Sequence, residues 1–305
     1  MKKLGLRSFV LAPLMSKENV IGALAFHYRS RAISFTGAQV DFTGKVAASL
    51  SLALENARLY TAEHRIAETL QEALLTMPKR LTGLNFGHLY ESATVEAAKV
   101  GGDFYDIFEL DNDRVGLIIG DVSGKGLAAA TVTALIKNTI RAYAFQEESP
   151  ANVMEKTNSA IRNTLDSTAF VTAFFAVLNK RSGLLVYVNA GHPPPILLRR
   201  TIATPLQVDA MPPIGIFDDL GFFDQQEVLR KGDTLIAYTD GVTEARQNKG
   251  LFGEGRLIKL VKTLRDTPAA DIPRAMIDNI LEYSGGHLSD DVAILAVELK
   301  EKSRR

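Results

Sequence analysis

Several aspartates of this sequence share one local context, because each stands at the end of a segment that the sequence predicts as a strand. They are Asp103, Asp121, Asp240 and the neighbouring pair Asp290 and Asp291. Strand ends at one edge of a sheet can converge, and converging carboxylates repel one another unless cations neutralise them. Two hard divalent ions would do so and would also activate a water molecule for hydrolysis. A single aspartate in such a position is more often a solvated turn residue. The prediction of a metal centre therefore rests on the placement that all these aspartates share.

The stretch around Asp121 has a second chemical feature. An apolar run over 115–119 leads to Asp121, and a glycine-rich turn over 123–126 precedes a helix predicted over 127–144. Glycine lets the backbone turn sharply, and the free N–H groups at a helix start attract anions. A nucleotide-binding P-loop is excluded, because Ile119 stands where that motif needs glycine and Gly126 stands where it needs a hydroxyl residue.

Composition narrows the function classes. The 305 residues carry a formal net charge of zero, which gives no sign of nucleic acid or an anionic membrane as partner. The absence of cysteine excludes disulfides, thiolate zinc sites and cysteine nucleophiles. The five histidines form no H-x-x-x-H pair, so a metal would be held by oxygen ligands. No apolar run approaches the roughly 18 residues of a membrane span, and Arg7 interrupts the apolar start, so we expect a cytoplasmic protein.

The first third of the chain predicts a hairpin followed by a long helix. Strands are predicted over 6–14 and 20–28, and Thr36 with Gln39 has the form of a capping box before a helix over 37–77. Apolar residues recur along that helix with a seven-residue period, which favours pairing with a second helix, although Asn56 and Glu63 interrupt it. The alternative is a helix packed on its own domain. The periodic positions are Leu52, Leu59, Ile66 and Ala73, with Leu70 and Met77 between them.

After Pro78 the pattern changes to many short strands with helices between them, which predicts an α+β fold with mostly antiparallel sheets. Besides the helix over 127–144, helices are predicted over 150–165, 253–264 and 269–283. Strands are predicted over 83–90, from 104 onwards, and over 115–120, 170–178, 184–190, 195–199, 233–239 and 292–299.

Residues 1–58 resemble the C-terminal part of a GAF sensor domain. The resemblance lies in the paired strands, the F-T-x-x-Q-V-D-F segment at 35–42 and the exit helix running into LENARLY at 54–60. A whole GAF domain is longer, so we expect the half that forms the ligand pocket to be missing from this chain.

Five ordered motifs resemble those of the metal-dependent serine/threonine phosphatases (PPM, type 2C), in the bacterial branch typified by RsbU and SpoIIE. The resemblance implies a phosphatase domain over 80–300, built as two mostly antiparallel sheets packed as a sandwich flanked by helix pairs. A helical, coiled-coil-like linker over 37–78 would precede it, and a charged tail over 301–305 would follow. The motifs are VGGDFYD (100–106), GDVSGKG (120–126), NAGHPP (189–194), YTDGVTEA (238–245) and SDD (289–291).

The resemblance also implies a site that binds two Mn²⁺ or Mg²⁺ ions. Asp121 would bridge the ions, Asp240 and Asp290 would complete one coordination shell, and Asp103 with the main-chain carbonyl of Val122 would serve the other. Asp121 and Asp240 would act in catalysis through a metal-bound water that attacks phosphorus in line. Asp291 is next to Asp290 in the chain, but adjacent residues at a strand start point in different directions, so its part in metal binding is left open.

Four further residues keep alternative roles at this point. Asp106 could orient a metal-bound water or cap a turn, and His192 could lie near the substrate or order its Gly-His-Pro-Pro turn. Glu244 is interpreted as a local hydrogen-bond acceptor and Lys125 as a solvated lysine, although it could attract phosphate. No arginine stands at 97–99 before Asp103, so the contacts to the substrate phosphate stay open.

The function implied by the resemblance is dephosphorylation of serine or threonine on a regulatory protein. The substrate would be a phosphorylated STAS-type anti-sigma-factor antagonist in a partner-switching pathway, and the linker helix would form a homodimer. The alternative is a catalytically inactive scaffold with a phosphatase fold, against which the retention of every metal aspartate argues. A ligand-sensing dimerisation module is a third possibility, weakened by the incomplete sensor portion.

Overall fold

The computed structural model describes residues 6–75, 77–93, 101–162, 164, 169–209, 211–218, 221–247 and 250–300, without the side chains at 63, 64, 67, 68 and 70–73. The residues at 97–99 and the tail over 301–305, which were considered above, lie outside this set. The chain divides into two compact units, Met1–Ile66 and Ala67–Arg305. None of the described helices has the length and apolarity needed to cross a bilayer.

The first unit contains an antiparallel hairpin of β1 (Ser8–Ser16) and β2 (Asn19–Tyr28), followed by the start of α1 (Gly37–Leu74). The predicted capping box is present, because the Thr36 backbone N–H donates to Gln39 Oε1 over 2.9 Å and the Gln39 N–H donates to Thr36 Oγ1 over 3.3 Å. These two bonds satisfy donors that a helix start leaves without partners. The predicted hairpin and the predicted helix start are both confirmed.

The second unit contains the end of α1, the other strands and five further helices. The strands are β3 (Leu84–Glu91), β4 (Asp103–Glu109), β5 (Arg114–Val122), β6 (Val171–Asn179), β7 (Leu184–Ala190), β8 (Ile196–Arg199), β9 (Ile202–Pro205), β10 (Gln225–Val228), β11 (Thr234–Tyr238), β12 (Arg246–Gln247), β13 (Gly250–Leu251) and β14 (Val292–Leu299). The helices are α2 (Leu127–Ala144), α3 (Pro150–Ile161), α4 (Gly241–Glu244), α5 (Gly253–Thr263) and α6 (Ile272–Ser284).

Two five-stranded antiparallel sheets form a sandwich. Their strand orders are β10-β7-β6-β5-β4 and β3-β14-β11-β8-β9. Buried side chains from both sheets make one core between them, including Leu117 and Phe174 from the first sheet and Leu295 from the second. The outer face of the first sheet packs on α2 and α3, and that of the second packs on α5 and α6. The predicted α+β sandwich flanked by helix pairs is confirmed.

The elements that the sequence did not predict are the short helix α4 and four short strands. β9 and β10 form outer strands of the two large sheets, and β12 and β13 form a separate two-stranded sheet. β10 consists of Gln225–Val228, whose residues offer no apolar alternation. Pairing with a neighbouring strand fixes these segments, so their own sequence carries little strand signal. Helix α3 ends at Ile161, earlier than the predicted residue 165.

Candidate metal centre

Asp103 and Asp121 lie directly opposite each other on neighbouring strands, β4 and β5. On these strands alternate side chains point between the sheets, and those of Tyr105 and Ile119 contribute to the buried core there. Asp103 and Asp121 are the next residues of the same alternation, so their carboxylates stand on the inner face where the sandwich ends. Thr172 on β6 is the partner of Asp121 on its other side.

The second sheet reaches the same end of the sandwich through Thr239 and Asp291. Leu235 and Ala237 point into the core between the sheets, and Thr239 follows them in the alternation. The Thr239 hydroxyl donates to Asp103 Oδ2 over 2.6 Å and accepts from the Ala293 N–H over 2.8 Å. One side chain of the second sheet therefore fixes a carboxylate of the first.

Asp291 is buried and tied to the segment that follows β3. Its Oδ1 accepts from the Ser92 hydroxyl over 3.0 Å and from the Ala93 N–H over 2.9 Å. Its neighbour Asp290 is half-exposed and pairs with Lys125 through Oδ1. The two adjacent carboxylates therefore have different partners, as expected for consecutive residues at a strand start. Lys125, considered above as a solvated lysine, is held against the acidic group.

The motif glycines allow the backbones of the site to approach one another closely. A Cβ on Gly102 would lie 2.1 Å from the Val122 carbonyl oxygen and 2.7 Å from Asp121 Oδ1. A Cβ on Gly241 would lie 2.0 Å from the Asp291 carbonyl oxygen. A side chain at Gly102 would displace Val122 and Asp121, two of the expected metal ligands, and one at Gly241 would displace the backbone of Asp291, so these positions require glycine.

The electrostatics of the site indicate an excess of negative charge. Burial, followed by the negative charges of Asp240 and Asp290, raises the pKa of Asp121 to about 7. Burial, followed by the charge of Asp121, raises the pKa of Asp103 well above its ordinary value. Burial and then Glu244 raise the pKa of Asp240. Ionised carboxylates are therefore destabilised here unless positive charge is added.

The donor chemistry fits hard divalent cations. The predicted ligands Asp103, Asp121, Asp240 and Asp290 offer carboxylate oxygens, and Gly102 leaves space beside the carbonyl of Val122. Among the residues that the structure describes, no three acidic or histidine side chains are already grouped around one ion position. Two of the four carboxylates bond to protein groups instead, Asp103 to Thr239 and Asp290 to Lys125.

Asp106 points away from this group. It lies three residues after Asp103 on β4, and an odd spacing along a strand places two side chains on opposite faces. Its carboxylate is fully buried and contacts two residues of α2, Arg141 at 3.1 Å and Lys137 at 3.7 Å. Lys137 also donates to the carbonyl of Leu74 at the end of α1. Asp106 therefore links β4 to α2, and neither role considered from the sequence describes its position.

His192 is buried in its turn. The Asn189 side chain accepts from the His192 N–H over 2.7 Å and donates to the His192 carbonyl over 2.8 Å. The ring Nδ1 lies 3.0 Å from the hydroxyl of Thr172, the strand partner of Asp121. Burial lowers the pKa of His192 to about 3, so the imidazole is neutral. These contacts order the turn and place the ring against Thr172, which separates it from Asp121 on the neighbouring strand.

Thr239 and Thr172 are site residues that the sequence analysis did not single out. Both are polar residues at inward-facing positions of buried strands, where the alternation predicts an apolar side chain. The signal that could have identified the two threonines is their position. Each continues the alternation of an apolar strand with a polar residue, close to an aspartate of the motifs.

Two families match this chain. Residues 111–300 match the model of stage II sporulation protein E (SpoIIE), and residues 1–54 match the GAF domain. The phosphoserine phosphatase RsbU of Bacillus subtilis (strain 168) is 27% identical over 241 residues, which cover 78% of this chain and 70% of RsbU. These matches confirm both resemblances that the motifs carried.

Solved structures share the fold. The crystal structure of the RsbU and RsbW domains of Rv1364c from Mycobacterium tuberculosis superposes with a TM-score of 0.65 and 26% identity, covering 72% of this chain and 61% of that one. The catalytic domain of the serine/threonine protein phosphatase PstP, solved with two manganese ions, gives a TM-score of 0.54 at 16% identity, covering 72% of this chain and 99% of that one. This chain therefore spans less than two thirds of the Rv1364c chain.

Proposed function

The chain belongs to the SpoIIE family of serine phosphatases with the PP2C fold, and on that premise we propose that it hydrolyses phosphoserine or phosphothreonine on a regulatory protein. The observation that carries the proposal is the opposed pair Asp103 and Asp121 at the end of the sandwich. Thr239 of the second sheet holds Asp103 there. This arrangement brings carboxylates together at one end of the sandwich, where burial and mutual repulsion raise the pKa of Asp103 and Asp121.

Two divalent cations, Mn²⁺ or Mg²⁺, would be held by Asp103, Asp121, Asp240, Asp290 and the Val122 carbonyl. When bound, they would supply Lewis acidity for the attack of water on phosphorus and neutralise the charge that develops on the phosphoryl oxygens. The chain's own groups keep the ligands in place: Thr239 orients Asp103, and the turn held by Asn189 and His192 supports β6 beside Asp121. PstP, which shares this fold, was solved with two manganese ions.

The similarity to RsbU supports a regulatory phosphoprotein as substrate. We propose a phosphorylated STAS-type antagonist of an anti-sigma factor, so that dephosphorylation would switch its binding partner. Hydrolysis by activated water needs no protein nucleophile, which agrees with a chain that contains no cysteine.

Hydrolysis of p-nitrophenyl phosphate in the presence of Mn²⁺ tests the activity. The wild type should turn over the substrate only with metal, and Asp121→Asn and Asp240→Asn should each lower kcat at least a hundredfold. Asp278→Asn, an exposed position on α6, is the matched control and should retain the wild-type rate. A wild type without metal-dependent turnover, or an Asp121→Asn variant that remains active, would refute the proposal.

We also propose that the stripe on α1 pairs with a second copy of the chain. Leu52, Leu59 and Ile66 are 62%, 64% and 56% exposed at seven-residue spacing, which leaves apolar surface for a partner helix. Leu59→Glu combined with Ile66→Glu should give a monomer by light scattering, whereas the exposed Ala57→Glu on another face of α1 should not. A double variant with the wild-type mass would contradict the pairing.

A further inference from the structure

A groove begins at the turn after β5 and follows the first turns of α2. Its volume is about 420 Å³, which is in the range of sites that take up a ligand group. Val122, Ala129, Val132 and Leu135 give it an apolar lining, and Ser123 and Lys125 belong to the same groove. Val122 and Lys125 are also parts of the metal centre, because one is a predicted ligand and the other pairs with Asp290. The groove is thus continuous with the proposed catalytic site.

One wall of the groove is fixed by two hydrogen bonds between Ser123 and Phe170. The Ser123 N–H donates to the Phe170 carbonyl over 2.9 Å, and the Phe170 N–H donates to Ser123 Oγ over 2.9 Å. This pair holds Ala169, which lines the groove, beside the glycine-rich turn. The groove therefore has a wall that exists before any ligand binds, and such preorganisation lowers the cost of binding.

The chemistry of the groove favours an uncharged apolar group. Among its described lining residues there is no carboxylate, and Lys125 is the one charged side chain. Lys125 is already paired with Asp290, so it offers little attraction to a second acid. Leu127 and Phe170, next in the chain to lining residues, expose large apolar side chains at this edge. An apolar side chain entering the groove would cover surface that is otherwise in contact with water.

We propose that this groove is a specificity subsite that takes an apolar side chain of the phosphoprotein substrate, close in sequence to the phosphorylated serine or threonine. The proposal rests on the phosphatase activity proposed above. The groove begins at Val122 and Ser123, the residues that follow Asp121 in the chain. An extended substrate chain advances about 3.3 Å per residue, so the proposal places in the groove a residue within about four positions of the phosphorylated one.

A panel of synthetic phosphoserine nonapeptides tests the subsite. Each peptide has an alanine background with one leucine placed between four positions before and four positions after the phosphoserine, and kcat/KM is measured by phosphate release with Mn²⁺. At one position leucine should raise kcat/KM about tenfold over alanine, the effect of burying much of a leucine side chain. Aspartate at that position should lower it.

Two groove variants and one control identify where the leucine binds. Ala128→Trp and Thr131→Trp place an indole at exposed lining positions, and each should reduce the leucine-to-alanine ratio to about one. The ratio cancels any loss of catalysis that affects both peptides equally. Asn138→Trp, at an exposed α2 position outside the groove, should retain the tenfold preference.

The outcomes separate the groove from the activity. A wild type that hydrolyses p-nitrophenyl phosphate but shows no leucine preference, or hydrolyses none of the peptides, would overturn the subsite and leave the phosphatase proposal intact. A preference that survives both groove variants would also overturn it. If Ala128→Trp raised the rate on every substrate, the indole would have displaced an inhibitory part of the enzyme from the groove. The groove would then bind the enzyme's own chain, and the proposal would be wrong. A wild type inactive on p-nitrophenyl phosphate would overturn both proposals.

Discussion

Thr239 and Asp103 join the two sheets of the sandwich through a single hydrogen bond of 2.6 Å, buried at the end where the acidic residues gather. The same hydroxyl accepts the N–H of Ala293 on the neighbouring strand. A hydroxyl can donate one bond and accept others, so threonine serves both partners at once. Thr239 therefore ties the Asp103 carboxylate to the second sheet.

Thr239→Val should test that dependence. The change keeps the shape but leaves Asp103 and the Ala293 N–H without their partner, which we expect to destabilise the protein by about 1–3 kcal/mol. It should also weaken Mn²⁺ binding, because Asp103 would lose its orientation. Urea unfolding and a Mn²⁺ titration of turnover measure the two effects. Thr239→Ser keeps the hydroxyl and should restore metal binding; equal Mn²⁺ affinity in the valine variant would show that the bond does not orient Asp103.

Asp121→Asn should stabilise the metal-free protein at alkaline pH. The folded pKa of Asp121 is raised to about 7 by burial and by neighbouring carboxylates, against about 3.9 when unfolded. The folded state therefore holds a proton that the unfolded state lacks, and this stabilisation is lost as pH rises through 7. In EDTA at pH 8 the variant should be more stable by about 1–3 kcal/mol, and the difference should shrink at pH 5.

Urea unfolding of both proteins at the two pH values measures this difference. Asp278→Asn, at an exposed position, is the control and should follow the wild type. A variant that is no more stable than the wild type at pH 8 would show that the ionised Asp121 carboxylate does not destabilise the metal-free protein.

His192 should make the protein less stable in mild acid. Burial lowers its folded pKa to about 3, whereas the unfolded value is about 6.5. The unfolded state therefore takes up the proton first, so stability falls as pH falls below 6.5 towards 3. His192→Gln should reduce the loss of stability between pH 7 and pH 5 by about 1–2 kcal/mol. The exposed His287→Gln should leave that loss unchanged, and an equal loss in the two variants would contradict the assignment.

Asp106 should matter for stability and not for metal binding. Asp106→Ala would leave Lys137 buried without its carboxylate, and breaking a buried pair in this way costs about 3–5 kcal/mol. Replacing both buried partners, with Asp106→Leu and Lys137→Met, should recover most of that loss because no buried charge is left unpaired, and Arg141, the other partner of Asp106, is partly exposed to water. Urea unfolding measures both variants. The double variant should bind Mn²⁺ like the wild type, since Asp106 faces α2, and a tenfold weaker affinity would contradict this.

Lys125→Met should tighten metal binding. Lys125 pairs with Asp290, a predicted ligand, and its positive charge opposes an incoming cation. Because the pair is partly exposed and screened by water, we expect the Mn²⁺ concentration for half-maximal turnover to fall about threefold to tenfold. Lys125→Arg keeps the charge and should resemble the wild type. Weaker Mn²⁺ binding in the methionine variant would mean that Lys125 supports the site.

The sequence predicted most of the helices and strands and named the aspartates of the proposed metal site. Long apolar periods and the capping box located α1 and β14, because local hydrogen bonding and burial pattern specify them. The short edge strands β9 and β10 were not predictable, since pairing with a neighbour stabilises them. The ordered motifs predicted that Asp103, Asp121, Asp240 and Asp290 belong to one metal site.

Only the tertiary structure decided which faces these residues occupy and which groups they contact. Asp106 and Asp103 belong to one motif, yet strand alternation turns one towards α2 and the other towards Thr239. Lys125 and Asp290 are 165 residues apart and meet because strands from different sheets end at the same edge of the sandwich. Sequence spacing fixes the direction of a side chain along one strand, whereas contacts between sheets depend on how the sheets pack, which no local pattern encodes.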